Sequence, residues 1–180
     1  DDMLIQNRQA TYLLKVSGDS MSGAGIMPGD MVIVDRSRTP KNGDIVIVWQ
    51  ERKNLDYEVF AMKGKLDNLT AFSQPVQVNN YKLGNQTRPN VAINEKGQVI
   101  AVWESAGQDR SGSGVYARRL TASMKINGPE IQVHTTILDG QGSPDVAMKE
   151  DGAFTVVWTS ETGDGKSKRI YKQNFDAKNK

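Results

Sequence analysis

Apolar residues fall along this chain in short runs that Gly, Asn and Asp interrupt, and no run keeps a helical spacing over three turns. Runs of four to eight β-branched and aromatic residues bounded by turn formers are the signature of strands. Reading the middle of the chain this way predicts strands over residues 76–79, 90–94, 98–105 and 114–120. Glu95-Lys96-Gly97 and Glu150-Asp151-Gly152 are the expected hairpin turns, because glycine supplies the positive φ that tight turns need.

The pattern repeats. Pro89-Asn90-Val91-Ala92, Gly97 and Val102-Trp103-Glu104-Ser105 return as Pro144-Asp145-Val146-Ala147, Gly152 and Val157-Trp158-Thr159-Ser160, at an offset of about 55 residues. The register holds without a gap through Gln77/Gln132, Val78/Val133, Gln86/Gln141, Asp109/Asp164 and Tyr116/Tyr171. Identical residues fill roughly a third of the positions when 76–120 is laid on 131–175, far above chance. A partial upstream copy places Gly43 before Trp49 as Gly97 precedes Trp103, and Val59-Phe60-Ala61 there resembles Val115-Tyr116-Ala117. All three tryptophans therefore occupy one repeat position. Four strands per period is the arithmetic of a propeller blade or related β-array, and the units resemble the tandem Trp-containing repeats of bacterial surface and secreted proteins.

The first 48 residues are organised differently. An apolar run, Ala10-Thr11-Tyr12-Leu13-Leu14-Lys15-Val16, leads into Ser17-Gly18-Asp19-Ser20-Met21. Two Gly-Asp turns, Gly29-Asp30 and Gly43-Asp44, then each launch another apolar run. A serine held among small and acidic residues just after a strand is how a nucleophile is presented on a β-scaffold, so Ser20 is the first residue to suspect.

From about Leu4 to Val48 these motifs resemble the catalytic domain of the S24 peptidases, the LexA-like and UmuD-like self-cleaving proteins of the bacterial SOS response, with the Ala10–Val16 run closest to the UmuD-like branch. The resemblance implies a Ser-Lys dyad and acyl-enzyme chemistry. Ser20 would be the nucleophile and its backbone amide an oxyanion donor. The base in this family is a lysine kept neutral by burial. Phe60-Ala61-Met62-Lys63 resembles the family's lysine-bearing strand, which makes Lys63 the candidate base, with the polar insert of residues 51–56 lengthening the approach to it. The family's later Pro-x-Asn segment and closing apolar strand have a poor counterpart in residues 75–79, which the repeat explains better. Ala24-Gly25 matches the dipeptide that such proteins cut, but its place just after the nucleophile fits a turn.

Composition and charge narrow the remaining classes. The 180 residues are 37% hydrophobic, enough for a core, and 23 basic residues against 21 acidic leave no footprint for nucleic acid. There is no cysteine, hence no disulfide or thiolate metal site. No apolar run approaches membrane-spanning length, so no membrane association is expected. No cofactor and no metal are expected. The acidic, Gly-rich loops at Asp109 and Asp164 bring one aspartate each, too few for calcium, and read as plain hairpin loops. His134 takes the repeat position of Asn79 and reads as an ordinary strand residue; the tryptophans read as core, and residues 166–169 as a solvated basic patch.

The expected fold is all-β: an S24 peptidase-like segment over 1–48, a partial first β-repeat over 43–75, and propeller-like repeats over 76–130 and 131–180. Each architecture claims residues 43–48. Two functions are open: a UmuD-like serine peptidase with the catalytic pair Ser20 and Lys63, or a noncatalytic β-repeat binding or surface protein carrying an S24 fragment. The first implies a cytoplasmic protein with a translesion polymerase as partner, the second an extracellular or cell-surface location. Unclosed repeats leave sheet edges, so self-association through β edges is expected.

Overall fold

The computed structural model describes residues 11–15, 31–35, 43–135, 140–162 and 167–179. They belong to two compact units, one ending at Lys41 and the other beginning at Asn42. In the first, β1 (Thr11–Lys15) pairs antiparallel with β2 (Met31–Asp35), Thr11 opposite Asp35 and Lys15 opposite Met31. These are the apolar runs before the serine motif and after the first Gly-Asp turn. Ser20 itself, with the whole connection of residues 16–30, lies outside the described residues.

The second unit is built of antiparallel sheets; no helix occurs among the described residues, and none is long and apolar enough to cross a membrane. In the first sheet β3 (Asp44–Lys53) pairs with β4 (Asp56–Lys65), whose other edge takes β5 (Asn68–Phe72) and β6 (Val76–Gln77). The second sheet runs β10 (Ile131–Gln132), β9 (Ser113–Leu120), β8 (Val99–Ala106), β7 (Gln86–Ile93). The third runs β11 (Gln141–Met148), β12 (Phe154–Glu161), β13 (Lys168–Phe175).

The sheets are out of phase with the sequence repeat. Residues 76–79, expected to open the second unit's sheet, instead complete the first: Gln77 lies opposite Phe60 and Val76 opposite Ala61. One repeat later Gln132 lies opposite Tyr116 and Ile131 opposite Ala117. The resemblance of Val59-Phe60-Ala61 to Val115-Tyr116-Ala117 is thus a structural equivalence. The short strand thus pairs backwards, onto the edge of β4 or β9 opposite β3 or β8.

Two further devices recur. The ladder between β7 and β8 slips between Thr87 and Asn90, and that between β11 and β12 between Gly142 and Asp145. Arg88 and Ser143, at φ 49° and 52°, each precede the repeat's proline. Proline has no N–H to give the ladder, so a bulge there resets the pairing. At the expected hairpins Gly97 and Gly152 sit at φ 75° and 89°, closing turns in which their N–H groups donate to the carbonyls of Asn94 and Lys149.

Packing explains why some strands alternate and others do not. The central sheet is covered on both faces, so β8 reads as a continuous apolar run. Val99, Ala101 and Trp103 join Val59, Ala61 and Val78 in one core; Ile100 and Val102 join Phe154, Val156 and Trp158 in another. Each repeat's tryptophan stacks on the aromatic directly across the ladder: Trp49 on Phe60, Trp103 on Tyr116, Trp158 on Tyr171, with centroids 5.8, 6.5 and 6.0 Å apart. Such pairs contribute about 0.5–1.5 kcal/mol beyond the area they bury. Trp103 also donates from Nε1 to Oε1 of Gln86 at 3.1 Å, which satisfies the only polar atom of a fully buried ring.

Candidate active site

Lys63 lies on β4, opposite Val46 of β3. The two strands are joined at Asn54-Leu55, and the polar insert of residues 51–56 is the outer end of this hairpin, with Lys53 paired to Asp56. Its register puts Lys65 directly opposite Asp44 and Lys63 diagonally beside it on the same face, a spacing within reach of long side chains. The geometry uses both contacts. Lys63 Nζ is 3.2 Å from Asp44 Oδ2 and Lys65 Nζ is 2.5 Å from Asp44 Oδ1.

Asp44 is almost fully buried. Burial pushes its carboxyl up, but hydrogen bonds and charge from Lys65 and Lys63 outweigh that, and the net effect holds it below the ordinary carboxylate value. Lys63 Nζ also donates to the carbonyl of Ala122, in the turn that follows β9. Gly97 closes the other side: a Cβ there would lie 3.2 Å from both Asp44 Oδ2 and Ala122 Cβ. The lysine therefore ties the first sheet to the turn after β9, beside the turn at Gly97. Its ammonium is a donor to two oxygens, whereas a general base must present a lone pair. Of the expected catalytic pair, Lys63 is described in this setting and Ser20 is not among the described residues.

A second polar cluster was not anticipated. His134 and Asp109 are buried to 1% and 2% side-chain exposure, with Nε2 2.7 Å from Asp109 Oδ2. Val115 N–H donates to His134 Nδ1 at 3.1 Å, and Ser111 N–H donates to Asp109 Oδ1 at 2.9 Å. The equivalent in the first sheet is Asn79, whose Oδ1 accepts from Val59 N–H at 2.7 Å and whose Nδ2 donates to Glu58. In both sheets one side chain caps the edge N–H left open where the short fourth strand ends, and a buried carboxylate takes its other side. The carboxylate comes from the strand in one case and from the loop in the other. Gly114 stands where Glu58 stands in the first sheet, and a Cβ on it would come within 2.5 Å of His134 Cε1. His134 thus takes the place of Asn79 as the repeat implies, but it lies two residues past the end of β10 and not in a strand, with its ring nitrogens bonded.

Beside it, an open cleft of about 600 Å³ is lined by Gln108, Tyr116, Arg118, Glu130 and Gln132 among others. Glu130 accepts from Gln108 Nε2 at 2.7 Å and from the backbone N–H groups of Asn80 and Tyr81. Burial, then the charges of Asp109 and Glu130 and the Tyr81 ring, raise the Tyr116 phenol to about 12. No group of three or more potential metal ligands occurs among the described residues.

Comparison with known proteins places the sequence motifs. Residues 1–66 match the family described as Peptidase S24-like. Protein ImpA of Escherichia coli is 49% identical over 43 residues, which are 24% of this chain and 30% of ImpA. The LexA repressor of Alcanivorax borkumensis is 40% identical over 68 residues, 38% of this chain and 31% of the repressor; that of Clostridium novyi is 44% identical over 43 residues. The chain spans about a third or less of the length of these relatives. Among solved structures, a thermostable family-43 glycoside hydrolase is similar at a TM-score of 0.48 and 13% identity, over 74% of this chain and 51% of that one. Residues 1–66 are therefore a Peptidase S24-like region, and its match runs through β3 and β4, strands that form the first sheet of the β-stack making up the rest of the chain.

Proposed function

We propose that this chain is a noncatalytic β-repeat binding protein carrying an S24-like segment, in which Lys63 serves the packing of the sheets and not Ser20. One observation carries this reading: Lys63 Nζ donates to the buried Asp44 carboxylate and to the Ala122 carbonyl. A serine hydroxyl is a weak nucleophile at neutral pH without a base beside it. The family's lysine acts from an apolar pocket; Lys63 Nζ instead lies 3.2 Å from a buried carboxylate and donates to it. Under this reading the β-repeats set the protein's partners and place it outside the cell or on its surface.

The second reading is a UmuD-like Ser-Lys peptidase, and the family match through Lys63 favours it. It carries with it self-cleavage, a cytoplasmic location and a translesion polymerase as client. The two readings separate in one experiment. The chain is fused behind a flexible arm containing an Ala-Gly bond and incubated at alkaline pH beside its Ser20→Ala and Lys63→Ala forms. Equal persistence of all three arms is the expected result. Loss of the arm from the parent alone would establish the peptidase.

A further inference from the structure

Tyr116 is 4% exposed, its ring stacked on Trp103 and set edge-on to His134 with centroids 5.6 Å apart. A tyrosine buried to this degree ordinarily gives its hydroxyl a hydrogen-bond partner. Here no described residue bonds the Tyr116 hydroxyl, although its neighbours Trp103, His134 and Asp109 are each bonded. The hydroxyl is not sealed in either, since it is absent from the fully enclosed unbonded atoms and Tyr116 lines the open cleft beside β10. Packing does not require it. Phe60 holds the equivalent place in the first sheet, stacked on Trp49, opposite Gln77 as Tyr116 is opposite Gln132, and 6% exposed.

The side chains around this hydroxyl are held in place while keeping bonding capacity. Arg118, two residues along β9 and so on the same face, donates from Nε to the Gly128 carbonyl at 3.3 Å and from Nη1 to the Val78 carbonyl at 2.9 Å, which fixes the guanidinium and leaves Nη2 to the cleft. Glu130 is clamped by the N–H groups of Asn80 and Tyr81 and by Gln108 Nε2. Gln132 donates from Nε2 to the His134 carbonyl at 3.2 Å and keeps its amide oxygen, and the exposed Asn80 side chain bonds to no described residue. The cleft therefore offers donors from Tyr116, Arg118 and Asn80, and acceptors from Gln132 and Asn80. Its charges oppose one another. The Arg118 guanidinium disfavours a cationic ligand, and the Asp109 and Glu130 carboxylates, whose field helps to raise the phenol, disfavour an anionic one.

We propose that this cleft binds a neutral saccharide, with one sugar hydroxyl bonded to the Tyr116 hydroxyl and its neighbours on the ring bonded to Arg118 Nη2 and the Gln132 amide oxygen. A sugar hydroxyl both donates and accepts and carries no charge, which matches this mixed set of groups. The volume of about 600 Å³ lies within the range of small-molecule sites, about 300–1,000 Å³. This inference rests on the binding-protein reading and names its ligand class. Its readout is sugar capture and not loss of a cleavable arm, so the two fail separately.

The test screens the intact chain by saturation-transfer NMR against methyl glucoside, methyl galactoside, methyl mannoside, methyl xyloside, cellobiose and maltose, with glucuronate and glucosamine as charged counterparts, and then titrates whatever binds. Saturable binding of at least one neutral sugar is expected at a Kd of about 1 mM or tighter, ahead of both charged sugars. Tyr116→Phe, which keeps the ring that the first sheet uses, should weaken it about threefold to tenfold, the worth of one hydrogen bond. Asn80→Ala, a change at an exposed side chain, should weaken it about twofold or more. Absence of saturation by every neutral sugar up to about 20 mM overturns the proposal. So does tighter binding of glucuronate or glucosamine, or binding that both substitutions leave unchanged, since the sugar would then sit elsewhere.

Discussion

Replacing His134 with alanine removes two hydrogen bonds at once from a site that water does not reach. Val115 N–H loses its acceptor at 3.1 Å, and Asp109 Oδ2 loses its donor at 2.7 Å. An orphaned buried amide costs about 1–3 kcal/mol. Leaving the buried Asp109 oxygen without its hydrogen-bond partner costs a similar amount again, about 1–3 kcal/mol. Asp109 keeps the Ser111 N–H on its other oxygen, and the space vacated by the ring admits solvent, which offsets part of the loss. The expected destabilisation is therefore about 2–4 kcal/mol and not the full sum of the two terms. His134→Asn restores the arrangement that Asn79 makes in the first sheet, an amide oxygen for the valine N–H and an amide nitrogen facing a carboxylate. It should recover more than half of the loss. Urea unfolding of parent, His134→Ala and His134→Asn, followed by tryptophan fluorescence, measures both quantities. A His134→Ala midpoint within error of the parent, or an asparagine form as unstable as the alanine form, would refute the equivalence of the two capping side chains.

Three further outcomes follow from the same geometry. Arg119 spans the second and third sheets, donating to the Gly152 and Asp176 carbonyls and to Asn179 Oδ1 while its guanidinium lies 4.7 Å from the centre of the Phe154 ring; Arg119→Ala should destabilise the stack by about 2–4 kcal/mol in urea unfolding. The Asp44 carboxyl is held below its ordinary 3.8, so its contribution to stability is complete above that value and is lost as pH falls through the lower folded value. Acid unfolding of Asp44→Asn should accordingly be flatter below pH 4 than that of the parent (about one proton less taken up). The Tyr116 phenol is raised to about 12, so folding resists its ionisation; the stability it confers is intact below its ordinary 10.0 and declines as pH rises through about 12, which Tyr116→Phe should abolish in alkaline melts.

Strand positions and the repeat were legible in the sequence because both rest on local pattern. The offset that pairs Gln77 with Gln132 and Tyr116 with Tyr171 survives as superposable ladders, and the turn glycines Gly97 and Gly152 have the φ that the sequence demanded. Which sheet a short strand joins was not legible: Val76 and Gln77 carry the same residues whether they open a sheet or close one, and nothing local marks the edge of β4 as their partner. The Asp109–His134 pair was hidden for a related reason. Its counterpart uses Glu58 and Asn79, so the carboxylate changes position between copies, and only Gly114 marks where it left. The Asp44–Lys63 contact, by contrast, follows from the hairpin register once its turn is fixed at Asn54-Leu55, since Lys65 then faces Asp44 and Lys63 lies one step along the same face. That signal was present beside the family motif and runs against the role the motif implies.

The central claim is that Lys63 belongs to the sheets. A crystal structure of the intact chain, read for the partners of Lys63 Nζ, tests it most directly. The account expects Nζ bonded to Asp44 Oδ2 and to the Ala122 carbonyl; an uncharged setting with Nζ within about 3 Å of Ser20 Oγ and Asp44 turned away would contradict it.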